Sequence, residues 1–114
     1  MNEQVKNRLG AYSPEIQEIF LAVRTLVLES SLEPLEELLW ANLPTYRKGN
    51  RFVRIIPFRD HLNVEAARIR NYADDLTGYT LTPKGMLKIG LKEELPMTWL
   101  QRIFQETFET PPEP

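Results

Sequence analysis

Four carboxylates, Glu29, Glu33, Glu36 and Glu37, fall within nine residues with no base among them. Oxygen donors at that density suit a hard divalent cation such as Fe²⁺ or Mg²⁺, held in an open, weak site. The same run would equally serve as a solvated turn and helix end. His61 is the sole histidine, and could act as a metal ligand or general base. Asn63 and Glu65 share its strand face, but at ~3.3 Å per residue Glu65 lies about 13 Å along the strand. One ion held at ~2 Å cannot span that gap, so His61 is expected to stack beside Phe58. A third group, Trp40, Phe52, Arg54, Phe58, His61 and Lys88, mixes aromatic and cationic side chains. That composition suits a protein partner or a small ligand. Aromatics interleaved with bases could also follow single-stranded nucleic acid, but the acidic pI of about 5.5 and the absence of a recognised motif disfavour it.

Enzymatic chemistry finds little support. Cysteine is absent and only five glycines are present, with neither a phosphate-cradling glycine loop nor a serine-centred elbow. Asp74 and Asp75 are adjacent and would point apart on a helix. General acid–base work would fall to carboxylates with no visible pairing. The chain is therefore expected to be a binding protein and not an enzyme.

The elements that must position these groups are legible from punctuation and periodicity. Ser13-Pro14-Glu15 combines an N-cap hydroxyl, a proline at the first helical position and an acid near the positive helix end. Ile16, Ile19, Phe20, Val23, Leu26 and Val27 continue at helical spacing. Leu35–Leu43 is ambiguous, since it could begin as a helical turn before becoming strand. Lys48-Gly49-Asn50 reads as a turn and Arg51–Phe58 as a strand. A two-residue hairpin at Arg59-Asp60 would pair Phe58 with His61, Ile56 with Asn63 and Arg54 with Glu65; arginine is unfavourable at the first position of a type I′ turn, so a longer loop with a shifted register is the alternative. Val53, Ile55, Pro57, Leu62 and Val64 then share the core face. Phe52, Arg54, Ile56, Phe58, His61, Asn63 and Glu65 share the other. Trp40 joins that outer face if Leu38, Trp40 and Asn42 point outward; otherwise it enters the core, or a helix or the N-terminal arm covers the face.

Further on, Ala66–Leu76 reads as a short helix with Ile69, Tyr72, Ala73 and Leu76 inward, stopped at Gly78. Met86–Leu91 reads as a strand with Leu87, Ile89 and Leu91 inward. Pro96 opens a last helix with Leu100, Ile103, Phe104 and Phe108 on its stripe. The expected order is α-β-β-β-α-β-α, an α+β fold with a mainly antiparallel sheet and helices on one face. Residues 1–12 are expected as a flexible arm, 13–109 as one domain and 110–114 as a proline-rich tail.

At 114 residues and 42% apolar content the chain supports one core. No apolar run approaches the roughly 20 residues of a membrane helix, and MNEQVKNRLG lacks the apolar segment of a signal peptide. With cysteine absent, a reducing, cytoplasmic setting is expected. Charge is uneven along the chain. Residues 1–46 carry three bases and seven acids, residues 47–70 seven bases and two acids, and residues 71–114 four bases and seven acids. Such a basic band could meet an anionic partner or its own acidic flanks, the flanks being the commoner outcome.

Taken in order, the first helix, LPTY at Leu43–Tyr46, FRDH at Phe58–His61, Gly78-Tyr79, Lys84-Gly85 and Leu95-Pro96 resemble the YdhG-like family of small bacterial domains, over about residues 13–109. Two departures show. The family usually has glycine before its Met-Pro step, where this chain has Asn42 and Leu43. The Thr80–Pro83 segment is also slightly longer than usual. The family is grouped by fold with YjbR-like proteins and with frataxins, so the resemblance implies an α+β sandwich with one open sheet face. By the same analogy it implies weak Fe²⁺ binding at Glu29, Glu33, Glu36 and Glu37, with a protein partner docked on the open face. No frataxin metal motif matches residue by residue.

Overall fold

The computed structural model describes residues 1–109, so the proline-rich tail at 110–114 lies outside the described residues. Helix α1 (Glu3–Leu9) is followed by α2 (Pro14–Glu29) and four strands: β1 (Glu36–Trp40), β2 (Leu43–Lys48), β3 (Arg51–Pro57) and β4 (His61–Ala66). A 3₁₀ turn (Ile69–Tyr72), the short strand β5 (Thr80–Leu81), β6 (Leu87–Gly90) and α3 (Met97–Glu109) complete it. The strands form one six-stranded sheet in the order β1-β2-β3-β4-β6-β5, antiparallel throughout. The fold class is α+β.

Alternation sorts the sheet into two faces. Val53, Ile55, Leu62, Val64, Leu87 and Ile89 are fully buried on one face, with the apolar stripes of α2 and α3 in the same cluster. Ser13 caps α2 by accepting from the Ile16 N–H at 3.3 Å, and Pro14 occupies the first turn. The Arg59-Asp60 hairpin has the two-residue register, and all three expected cross-strand pairs form: Ile56 and Asn63, Arg54 and Glu65, and Phe58 N–H donating to His61 O at 2.9 Å.

Several expectations are corrected. The polar first dozen residues are not a loose arm. Asn2 caps α1 through its side-chain oxygen, and Val5 and Leu9 enter the core. Polar composition concealed this because two apolar positions four apart are enough to seat a two-turn helix. The ambiguous Leu35–Leu43 segment is β1, ended by a tight turn at Ala41 and Asn42 with φ of 52° and 65°. That pattern marks a type I′ hairpin, and asparagine tolerates it. LPTY then opens β2, a strand not anticipated as separate. Ala66–Leu76 does not become an α-helix: only the 3₁₀ turn forms, which keeps Ile69 and Leu76 buried but leaves Ala73 exposed. Leu91, expected inward, lies past the end of β6 and is 39% exposed.

Because Leu9 is buried against the core, Leu9→Ala is expected to lower unfolding free energy by about 2–4 kcal/mol in urea denaturation. An unchanged midpoint would return the first residues to the status of an arm.

Candidate functional site

The acidic run is divided by strand geometry. Glu36 and Glu37 are neighbours on β1 and therefore point to opposite faces. Glu36 lies on the outer face across from Arg47, whose Nη2 and Nε reach its Oε1 at 2.6 and 3.0 Å. Glu37 lies on the core side with its side chain 10% exposed. There it accepts from Arg24 Nε at 2.6 Å, Arg24 Nη2 at 3.3 Å and the Asn2 backbone N–H at 2.6 Å. Glu29 ends α2 and Glu33 sits in the following loop, both exposed and without an ion pair among the described residues. No group of three or more His, Cys, Asp or Glu side chains placed to hold a metal ion occurs among the described residues. The four glutamates thus do not converge, because the strand's two-residue period and two arginines separate the last pair.

The outer-face group does converge. Leu38, Thr45, Arg54 and Glu65 form one cross-strand row through β1, β2, β3 and β4. Trp40 on β1 and Phe52 on β3 flank this row and meet edge to face over it, their centroids 6.1 Å apart. Thr45, on the strand between them, is fully buried even though it faces away from the helices. The Arg54 guanidinium lies 4.7 Å from the Trp40 centroid and 4.4 Å from that of Phe52. Its Nη1 donates to Glu65 Oε1 at 2.9 Å. Arg47 adds a second cation 5.8 Å from the Trp40 ring. Rings on either side of a guanidinium desolvate it and attract it electrostatically. Arg54 is therefore a fixed group, its side chain only 16% exposed.

His61 stacks on Phe58 at 4.5 Å with 9° between planes, as the sequence predicts. Its Nδ1 lies 2.7 Å from Asp60 Oδ1, and that contact holds the Asp60 carboxyl below the ordinary range. Lys88 is exposed on β6, across from Asn63. Two polar atoms on this face, Arg54 Nε and Asn63 Oδ1, are buried without a hydrogen-bond partner among the described residues. Native proteins leave few such atoms. Trp40 is 46% exposed and Phe58 40%, so the open alternative for Trp40 is settled outward.

A cleft of about 500 Å³ escaped sequence reasoning. Arg51, Phe52, Glu65, Arg68, Arg70, Lys84, Gly85 and Glu106 are among its walls. The basic band at 47–70 was its visible signal, but only folding brings the Lys84-Gly85 turn and the last turns of α3 beside it. Much of the remaining band is engaged by acids: Arg47 by Glu36, Lys48 by Glu109 at 3.2 Å, and Arg54 by Glu65.

Burial opposes ionisation of Glu37, but the bonds from Arg24 and Asn2 outweigh it and hold the carboxyl below its ordinary value of 4.5. Tyr46, cross-strand from Glu37, is pushed upward by burial and by that carboxylate. Its hydroxyl stands beside the ion pair but lacks a hydrogen bond of normal geometry. A carboxyl depressed on folding stabilises fully above its unfolded value and loses that contribution as pH falls through the folded one. Stability in denaturant is therefore expected to decline from about pH 5 toward pH 3, and Glu37→Gln should flatten that segment. An equally steep decline in the variant would assign the acid sensitivity to other carboxyls.

No family model, curated protein or solved structure matches the chain.

Proposed function

We propose that this chain is a non-enzymatic binding module that docks a protein partner on the outer face of its sheet. The observation that carries the reading is the Trp40–Arg54–Phe52 assembly. It presents a half-exposed indole over a guanidinium held in place before any partner arrives. Interface hot spots favour Trp and Arg, and side chains already fixed lose less entropy on association. Phe58 supplies a second exposed ring on the same face. Lys88 and the Arg47–Glu36 pair form a polar rim.

Membership of the YdhG-like domains is part of this proposal. It rests on the ordered motifs and on an α+β architecture with helices against one sheet face. Iron binding by the glutamate run is not part of it, because Glu36 and Glu37 face opposite ways and each is held by an arginine. A cytoplasmic setting fits a chain without cysteine.

The test is site-specific photocrosslinking in the native cell, with the photoreactive amino acid placed at Phe58 or, as a control, at Leu21 on the exposed side of α2. One dominant protein adduct is expected at position 58 and none at 21. Trp40→Ala should reduce the position-58 adduct about thirtyfold, the effect of removing one interface hot spot, while the variant still unfolds in a single cooperative thermal transition. Equal labelling at both positions, no adduct, or an adduct removed by nuclease would overturn the reading.

A further inference from the structure

We infer, resting on the docking reading above, that the partner lays an amphipathic α-helix of about 13 residues across the strands, with an acidic side chain over Lys88. The cross-strand registers line up a row of outward side chains at right angles to the strands. Trp40 lies opposite Leu43, Ile56 opposite Asn63, and Asn63 opposite Lys88. Carrying the β2–β3 register two residues past Thr45 and Arg54 sets Leu43 level with Ile56. Trp40 is exposed at one end of the row, Ile56 is buried in its middle and Lys88 is exposed at the other end. At ~4.8 Å per strand, the four spacings from Trp40 to Lys88 cover about 19 Å. The Arg54 guanidinium, between the Trp40 and Phe52 rings, borders the row on one side, and the Phe58–His61 stack borders it on the other. From Arg54 to Phe58 the chain advances about 13 Å at ~3.3 Å per residue. An α-helix with its side chains is about 10–12 Å across and fits between them.

Two constraints select this occupant. Strand N–H and C=O groups point at neighbouring strands and not out of the face. An extended segment laid here would bury its own backbone groups without partners, whereas a helix bonds its own. Charge is the second constraint. Glu36 is paired with Arg47 and Glu65 with Arg54, while Lys88 holds no ion pair among the described residues. Asp60, in the adjoining turn, is engaged by His61 Nδ1 at 2.7 Å. A partner carboxylate answers Lys88. A second copy of this chain does not, because its own Glu36 and Glu65 are already paired on the same face. One unpaired cation is also too few for a phosphate backbone. The helix that fits carries apolar side chains at i, i+3, i+4 and i+7 against Trp40, Leu43 and Ile56. Its acid follows about 11–13 residues from the first of them.

The test places the photoreactive amino acid at Leu43, Phe58 or Lys88 of the full chain in the native cell, and maps the adducted partner residues by mass spectrometry. All are expected within one segment and at intervals of three, four or seven. Residues reached from 43 and from 88 should lie about ten apart, the helical equivalent of three strand spacings. A labelled peptide of that segment should gain helical circular dichroism when titrated with the full chain. Lys88→Glu should weaken the peptide about fivefold, and exchanging the peptide's acid for lysine should restore its affinity for that variant. The exposed Lys92→Glu should change nothing. Adducts at every second residue, adducts in distant segments, a bound peptide without helical signal, or an equal loss with Lys92→Glu would overturn the helix and leave partner docking in place. No adduct from any of the three positions would overturn both.

Discussion

The register of the β1–β4 meander is the constraint on which the other features depend. Three two-residue reversals, at Ala41-Asn42, Gly49-Asn50 and Arg59-Asp60, connect its strands, so residues opposite one another always share a face. A slip of one residue at any turn would carry the whole strand's side chains to the other side. Trp40 would then face the helices and Glu37 would lose Arg24. The turns bear this load in different ways. Ala41 and Asn42 both adopt positive φ, and Gly49 does so at 61°, the first turn position that a type II′ hairpin gives to glycine. Arg59 and Asp60 are not among the positive-φ residues. There the register is supported by the Phe58–His61 stack and by the burial of Pro57 and Leu62 on the far face.

From that register two arginine–glutamate pairs arise on opposite sides of the sheet, with different consequences. Arg24–Glu37 ties α2 to the edge strand β1. Asn2 adds its backbone N–H to the same carboxylate and its side-chain amide to the Glu37 carbonyl at 3.2 Å. The amide takes up one backbone carbonyl of the edge strand that would otherwise be open to another chain. Arg54–Glu65 ties β3 to β4 on the open side and orders two aromatic rings as it does so. Breaking either pair would leave a largely desolvated charge without its partner, which is more damaging than never having built the pair.

The outer face and the basic cleft meet through these same residues. Phe52 stacks against Arg54 on the sheet and also lines the cleft; Glu65 neutralises Arg54 and forms part of the cleft wall. The two surfaces therefore share one aromatic ring and one ion pair. In a domain this small, one cross-strand row serves two surfaces.

By itself the sequence determined what depends on local chemistry: the start of α2 at Ser13-Pro14 and the apolar stripes of α2 and α3, while it left the Arg59-Asp60 hairpin as one of two registers, between which the structure chose. The stacking of His61 on Phe58 follows from the two-residue register, which sets the two rings opposite one another. Periodicity and turn chemistry act over a few residues and leave a readable pattern. Tertiary structure decided everything that depends on which distant segment arrives. Val5 and Leu9 become core only because β1 and α2 provide a surface for them. The segment after Ala66 forms only a 3₁₀ turn, with Ile69 and Leu76 buried and Ala73 exposed. The glutamate run looked like one site in one dimension, yet Arg24 on α2 and Arg47 on β2 take its last two members to opposite faces. Lys84 joins Arg51, Arg68 and Arg70 only when β6 pairs with β4, a contact between segments whose sequences carry no mark of each other.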